Sequence, residues 1–199
     1  MNNLIIVFAC FSVFNIIASY KHIRALEITS KLFLMPTLFL SFPFVLDSPL
    51  LITVCILYTI GDALLLSSKI VPFVIGATAF ASGHVAYYIY LARIINLAYL
   101  PFGLLALLLF IAYYAKEIFV KHELLNFAEL AYIVFISSLM CLAFSTGSSI
   151  MAFGGFLFAF SDMLIVKARN GVMKSKDWLV MFTYIIANFL LLYGIKIIR

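Results

Sequence analysis

The chain alternates between long apolar runs and short polar or basic interruptions. The runs predict helices at about 4–19, 32–46, 49–67, 71–91, 97–115, 127–144, 148–166 and 178–197. Stretches such as Leu104 to Ala112 are apolar at nearly every position, whereas a membrane β-strand alternates apolar and polar residues. A bilayer-spanning helix needs about 20 residues, so eight use about 160 positions and leave about 40 for connections. The pattern therefore predicts an all-α polytopic protein: a single integral membrane domain over residues 1–199, built as a bundle of about eight transmembrane helices. No basic residue precedes the first run and no clear small-x-small cleavage site follows it, so it reads as helix 1 and not as a signal peptide.

Composition narrows the class. Hydrophobic residues make up 66% of the chain and charged residues only 11%, against about a quarter charged in ordinary soluble domains. Mean hydropathy is +1.21. A soluble domain of this size could not hide that much apolar surface, which excludes a soluble enzyme, a disordered chain and a nucleic-acid-binding domain. The net charge of +5 comes from a few Lys and Arg between apolar runs. Ten of the thirteen (Lys21, Arg24, Lys31, Lys69, Lys116, Lys121, Lys167, Arg169, Lys174 and Lys176) fall after helices 1, 3, 5 and 7, leaving Arg93, Lys196 and Arg199 on the other side. The positive-inside rule then places both termini on the non-cytoplasmic side, and the compact loops suit a bacterial inner membrane. Trp178 falls where the last helix enters the membrane. Cys10, Cys55 and Cys141 each lie in an apolar run and read as small core residues. Nothing in the pattern signals an oligomeric state.

An internal repeat is suggested at an offset of 100 residues. Gly61-Asp62-Ala63-Leu64-Leu65 matches Ser161-Asp162-Met163-Leu164-Ile165, and Lys21-His22 matches Lys121-His122. Halves of four helices each would be parallel repeats.

Chemistry concentrates on two of the eight acids. Glu27, Asp47, Glu117, Glu123, Glu129 and Asp177 fall in loops or near helix ends and read as solvated charges. Asp62 and Asp162 lie inside apolar helices, where a charge costs at least about 2.5–3.5 kcal/mol on the insertion scale and a functional role is the default. Asp62 is seven residues before Lys69, about 10 Å deep, and Asp162 is five before Lys167, about 8 Å deep. Tyr132 and Tyr184 come to about 9 Å from their helix starts. Asn188 lies one turn beyond Tyr184, and His84 stands near the midplane in the i, i+4 stripe Gly76, Phe80, His84, with Tyr87 and Tyr88 beyond. Lys31 and Glu129 sit near the cytoplasmic mouth. These depths predict a polar pocket in the bundle, opening inward. Against that stand ordinary readings: a buried tyrosine with its hydroxyl satisfied, a core histidine, a helix-packing aspartate.

Other chemistries lack their residues. A zinc hydrolase needs three or four ligands, and only His84 of the three histidines is intramembrane. No Gly-x-Ser-x-Gly elbow or phosphate-cradling glycine loop is present. Lys69 and Lys167 lie at helix ends, which argues against a retinal lysine.

At this point the chain resembles the YhhN family of lysoplasmalogenase-like membrane proteins. The matching residues are Lys31 with Pro36, Gly61-Asp62 with Leu64-Leu65, the stripe Gly76, Phe80, His84 and Tyr87, then Tyr132, Gly154-Gly155, Ser161-Asp162 and Tyr184. The match spans about 30 to 190. Asn188 and Leu32 depart from the pattern, where glutamine and proline are expected. The resemblance implies eight transmembrane helices and hydrolysis of the vinyl ether of lysoplasmalogens to a fatty aldehyde and glycerophosphoethanolamine or glycerophosphocholine. That chemistry begins with protonation of the vinyl ether β-carbon and needs an acid, a nearby anion and no cofactor. Two aspartates in a low-dielectric pocket can share one proton. Asp62 and Asp162 are therefore the expected acid and carboxylate, in either order. Lys31, His84, Tyr87, Tyr132, Ser161, Tyr184 and Asn188 are the expected substrate-binding groups. The expected partners are the lysophospholipid and the membrane lipid, with no nucleic acid and no metal. Paired intramembrane acids also serve proton coupling, so a proton-coupled small-molecule or lipid transporter is the competing class, with a non-catalytic lipid-binding protein third.

Overall fold

A computed structural model describes residues 3–67, 69–121, 127–169 and 176–199. Among the described residues there are eight α-helices and no strand: α1 (Asn3–Lys21), α2 (Arg24–Leu40), α3 (Pro49–Leu65), α4 (Ile70–Leu91), α5 (Leu100–Lys121), α6 (Phe127–Phe144), α7 (Ser149–Arg169) and α8 (Asp177–Ile198). Short 3-10 turns, Pro43–Val45 and Leu97–Tyr99, precede α3 and α5. Of the residues singled out above, His122, Glu123 and Lys174 lie outside the described residues, as do the side chains of Glu117, Lys121, Glu129 and Arg169.

Six helices lie close to the expected runs, and two are corrected. Helix α2 runs Arg24–Leu40 in place of 32–46. Its first turns carry Arg24, Glu27 and Lys31, which hydropathy reads as loop, yet they make helical contacts. Arg24 and Glu27 pair at i, i+3 across 3.6 Å, and the Ser30 hydroxyl donates to the Leu26 carbonyl at 2.6 Å. At the other end Phe42 is extended, at φ −112° and ψ 100°, because the following Pro43 crowds the helical conformation. The chain turns from α1 into α2 within two residues, with His22 at φ 55°. Lys31 is therefore a helix residue. Helix α5 continues to Lys121, past the expected end at 115, since no Gly or Pro interrupts the segment.

Among the described residues, five segments are long and apolar enough to cross a bilayer: Asn3–Lys21, Ile70–Leu91, Leu97–Tyr114, Ser149–Ala168 and Asp177–Ile198. Pro49–Leu65 and Ala131–Phe144 are apolar but shorter. Phe14, Leu105, Leu108 and Leu109 are exposed, as lipid-facing residues are. Helices of this length and apolarity are those of an integral membrane protein.

The chain divides into two compact units. The first holds Met1–Tyr90 with Asp177–Ile185. In it α1 packs on α2 and α2 on α3, around buried Leu34, Met35, Leu38, Leu51, Val54 and Tyr58. A polar pin crosses the α1–α2 contact: the Asn15 amide donates to Ser30 Oγ at 2.9 Å and to the Glu27 carbonyl at 3.2 Å. Such side-chain bonds hold membrane helices together where apolar burial cannot. The Arg24 guanidinium donates to the Leu66 carbonyl just past the end of α3, where the open carbonyls of a helix terminus attract a cation. Tyr20 near the end of α1 meets Trp178 of α8 edge-on, ring centroids 6.4 Å apart.

Helix α4 approaches α3 through glycine. A Cβ at Gly76 would stand 2.8 Å from Leu64 Cβ and 2.9 Å from the Leu65 backbone nitrogen. Because a backbone atom is involved, no rotamer change relieves the overlap. Gly76→Val is expected to cost about 1–3 kcal/mol, which lowers the melting temperature by roughly 2–12 °C. A tryptophan-emission melt in detergent measures this, and an unchanged midpoint would refute the close α3–α4 packing.

The second unit holds Leu91–Lys176 with Ile186–Arg199. Here α5 packs on α6 and α6 on α7, around Phe110, Tyr114, Ile133, Met140, Ala159 and Met163. The buried Lys167 places its ammonium 5.3 Å from the Tyr113 ring centroid, a cation–π contact that helps a charge stay near an apolar helix end.

Candidate functional site

In the first unit Asp62 stands one residue after Gly61 in α3 and is 3% exposed. Its two oxygens have different partners. The Tyr184 hydroxyl, from α8, donates to Oδ2 at 3.1 Å. The Lys31 ammonium, from α2, lies 3.8 Å from Oδ1. Both oxygens thus face donors, which is what an acceptor-only carboxylate requires. The Lys31 side chain keeps 13% of its surface open while that of Asp62 keeps 4%. The lysine is therefore the more accessible half of a nearly buried pair, close enough to solvent to meet a second anion.

Phe80 joins this cluster to another. Its ring lies 6.1 Å from that of Tyr184 and stacks on Tyr58 at 4.7 Å and 22°. His84, one turn along α4 and fully buried, sits 4.9 Å from the Phe80 ring and 5.4 Å from Tyr58. Its Nδ1 is 3.1 Å from the Phe80 carbonyl oxygen and 3.4 Å from the Tyr58 hydroxyl. The stripe Gly76, Phe80, His84 therefore faces α3, as i, i+4 spacing allows. Tyr87 is also fully buried, and its hydroxyl has no hydrogen-bond partner among the described residues.

In the second unit Ser161 and Asp162 are buried in α7, at 1% and 2% exposure, and Asn188 is buried in α8 at 1%. Tyr132 differs. Its side chain is 42% exposed on α6, while its neighbour Ile133 is buried at 2%. The structure thus brings Lys31, Asp62 and Tyr184 into direct contact and places His84 beside Phe80. It buries Tyr87, Ser161, Asp162 and Asn188, and it leaves Tyr132 on an outer face.

Sequence reasoning missed Tyr58. The available signal was its spacing, four residues before Asp62 and so on the same face of α3, but a tyrosine in an apolar run reads first as core. Among the described residues no three His, Cys, Asp or Glu side chains gather as a metal-binding group.

Comparison with known proteins adds one finding. The model of the YhhN family matches residues 26–195, most of the chain. No curated protein and no solved structure matches it.

Proposed function

The chain belongs to the YhhN family, and from that premise we propose that it is an intramembrane hydrolase of lysoplasmalogens. It cleaves their vinyl ether bond to release a fatty aldehyde and glycerophosphoethanolamine or glycerophosphocholine. The observation that carries this reading is the buried Asp62, with Lys31 at one oxygen and Tyr184 at the other. A carboxylate held this way inside an apolar helix is costly to keep and suited to facing a developing cation.

The chemistry assigns work as follows. A proton is delivered to the β-carbon of the vinyl ether, leaving an oxocarbenium ion. The Asp62 carboxylate stabilises that cation, and Tyr184 holds the carboxylate in place. Water adds to the cation and gives up a proton, and the hemiacetal collapses to aldehyde and alcohol. Asp162, the second acid buried in an apolar helix, supplies the carboxylic proton in this reading. Lys31, the more accessible member of its pair, meets the lipid phosphate. Tyr87, Ser161 and Asn188 are the further substrate-binding groups of this reading. The same reading has eight membrane crossings, as two parallel sets of four. Both termini lie outside a bacterial inner membrane, as the distribution of Lys and Arg favours.

The test is aldehyde release by the purified protein in detergent, followed by coupled reduction of the aldehyde. Lysoplasmalogen is expected to yield aldehyde, and the acyl-ester lysolipid of the same headgroup to yield none. Asp162→Asn is expected to lower release by about a hundredfold or more, the usual weight of a general acid. If folded protein releases no aldehyde from either the ethanolamine or the choline form, the hydrolase reading falls. Proton-dependent flux into vesicles would then favour a transporter, which a buried Lys–Asp pair also suits.

A further inference from the structure

We propose that Tyr58 is a positioning residue. Together with the Phe80 carbonyl it holds the His84 imidazole with its proton on Nδ1, so that Nε2 presents a lone pair to accept the proton of the attacking water. The catalytic half of this inference rests on the hydrolase reading, while the tautomer half rests on geometry alone.

The tautomer follows from what surrounds Nδ1. The Phe80 oxygen, 3.1 Å away, is a carbonyl and can only accept. A bare Nδ1 would set two lone pairs against each other at that distance, whereas an Nδ1–H turns the contact into a hydrogen bond. The Tyr58 hydroxyl, 3.4 Å from the same nitrogen, can accept as well as donate and so offers Nδ1–H a second oxygen. Which ring nitrogen of a histidine carries the proton is set by the bond the other makes. Two oxygens at Nδ1 leave Nε2 as the basic nitrogen, the arrangement in which a histidine serves as a general base oriented by a third group.

The packing is shaped to hold this geometry. The His84 ring packs against those of Phe80 at 4.9 Å, Tyr58 at 5.4 Å and Tyr88 at 5.8 Å. Tyr58 in turn stacks on Phe80 and is fully buried. Gly83, the residue before His84, makes the space, since a Cβ there would stand 2.7 Å from both Cδ1 and Cε1 of Tyr58. Phe80 is shared with Tyr184, the hydrogen-bond donor to Asp62. The proton inventory closes. The carboxylic acid gives one proton to the β-carbon, and Nε2 takes one from the adding water. After the hemiacetal collapses the imidazolium releases that proton to water and the carboxylate takes one back from water, for a net addition of water and no change of oxidation state.

The experiment uses the full-length protein labelled with 15N-histidine in detergent. The chain has three histidines, and His84→Asn identifies the signal of His84. The expected result is a neutral His84 with its proton on Nδ1. Tyr58→Phe keeps the ring and its stacking but removes the second acceptor. It is expected to mix in the Nε2–H tautomer and to lower kcat for aldehyde release about tenfold, with KM changed less than about twofold. An Nε2–H tautomer in the unsubstituted protein overturns the proposal, and so does a Tyr58→Phe variant with tautomer and kcat both unchanged. The tautomer is read without any lipid. A protein that releases no aldehyde therefore defeats the hydrolase reading, while the tautomer measurement still decides the placement of the proton.

Discussion

Asp62→Asn is expected to abolish aldehyde release, by at least about a hundredfold, in a protein that still folds. The substitution is nearly isosteric. Asparagine keeps an oxygen to accept from Tyr184, so the α3–α8 hydrogen bond at Oδ2 survives. What disappears is the negative charge that the proposed mechanism sets against the oxocarbenium ion. Lys31 loses its partner, but its side chain is the more open of the two and a lysine stem can carry its ammonium toward the headgroups. The melt should therefore move little while the rate collapses. Activity within about tenfold of the parent would remove Asp62 from the chemistry and leave it a packing residue.

Lys31→Met is expected to show the opposite balance. It removes the only cation paired with Asp62 among the described residues and leaves a nearly buried carboxylate with Tyr184 alone. Breaking a buried pair from one side costs about 3–5 kcal/mol, which for a chain of this length lowers the melting temperature by roughly 6–20 °C. The double variant Lys31→Met/Asp62→Asn leaves neither charge, and neutral replacement of a buried pair is often tolerated. It should recover most of the lost melting temperature and none of the activity. If the double variant melts as low as the single one, the pair is not what Lys31 contributes. On substrate, Lys31→Met should also raise KM more than it lowers kcat if Lys31 meets the phosphate.

The helices were legible because apolar runs end where Gly, Pro or charge interrupts them, and α3, α4, α6, α7 and α8 follow that rule closely. Helix α2 did not, because a hydropathy reading treats Arg24, Glu27 and Lys31 as loop while the backbone makes them the first two turns of the helix. The axial position of a side chain was also legible. Counting residues from a helix end placed Asp62 and Tyr184 at one level, and they do meet. The face of a helix was not. Helix α6 carries no continuous polar stripe, so nothing in its sequence told which way Tyr132 points, and it lies exposed. Tyr58 was illegible for a related reason: what distinguishes it from a core tyrosine is a glycine on the neighbouring helix that makes room for its ring.

The contact between Tyr20 and Trp178 has an optical consequence. Trp178 is the only tryptophan in the chain, and it lies against α1 just before the two-residue turn into α2. Light absorbed by Tyr20 can pass to it over so short a distance, and emission excited selectively at tryptophan is a local signal from the first unit. A melt followed by emission will register loosening around α1, α2 and the start of α8, where Lys31 and Asp62 act. Events confined to α5, α6 and α7, which hold no tryptophan, call for a backbone probe such as hydrogen exchange.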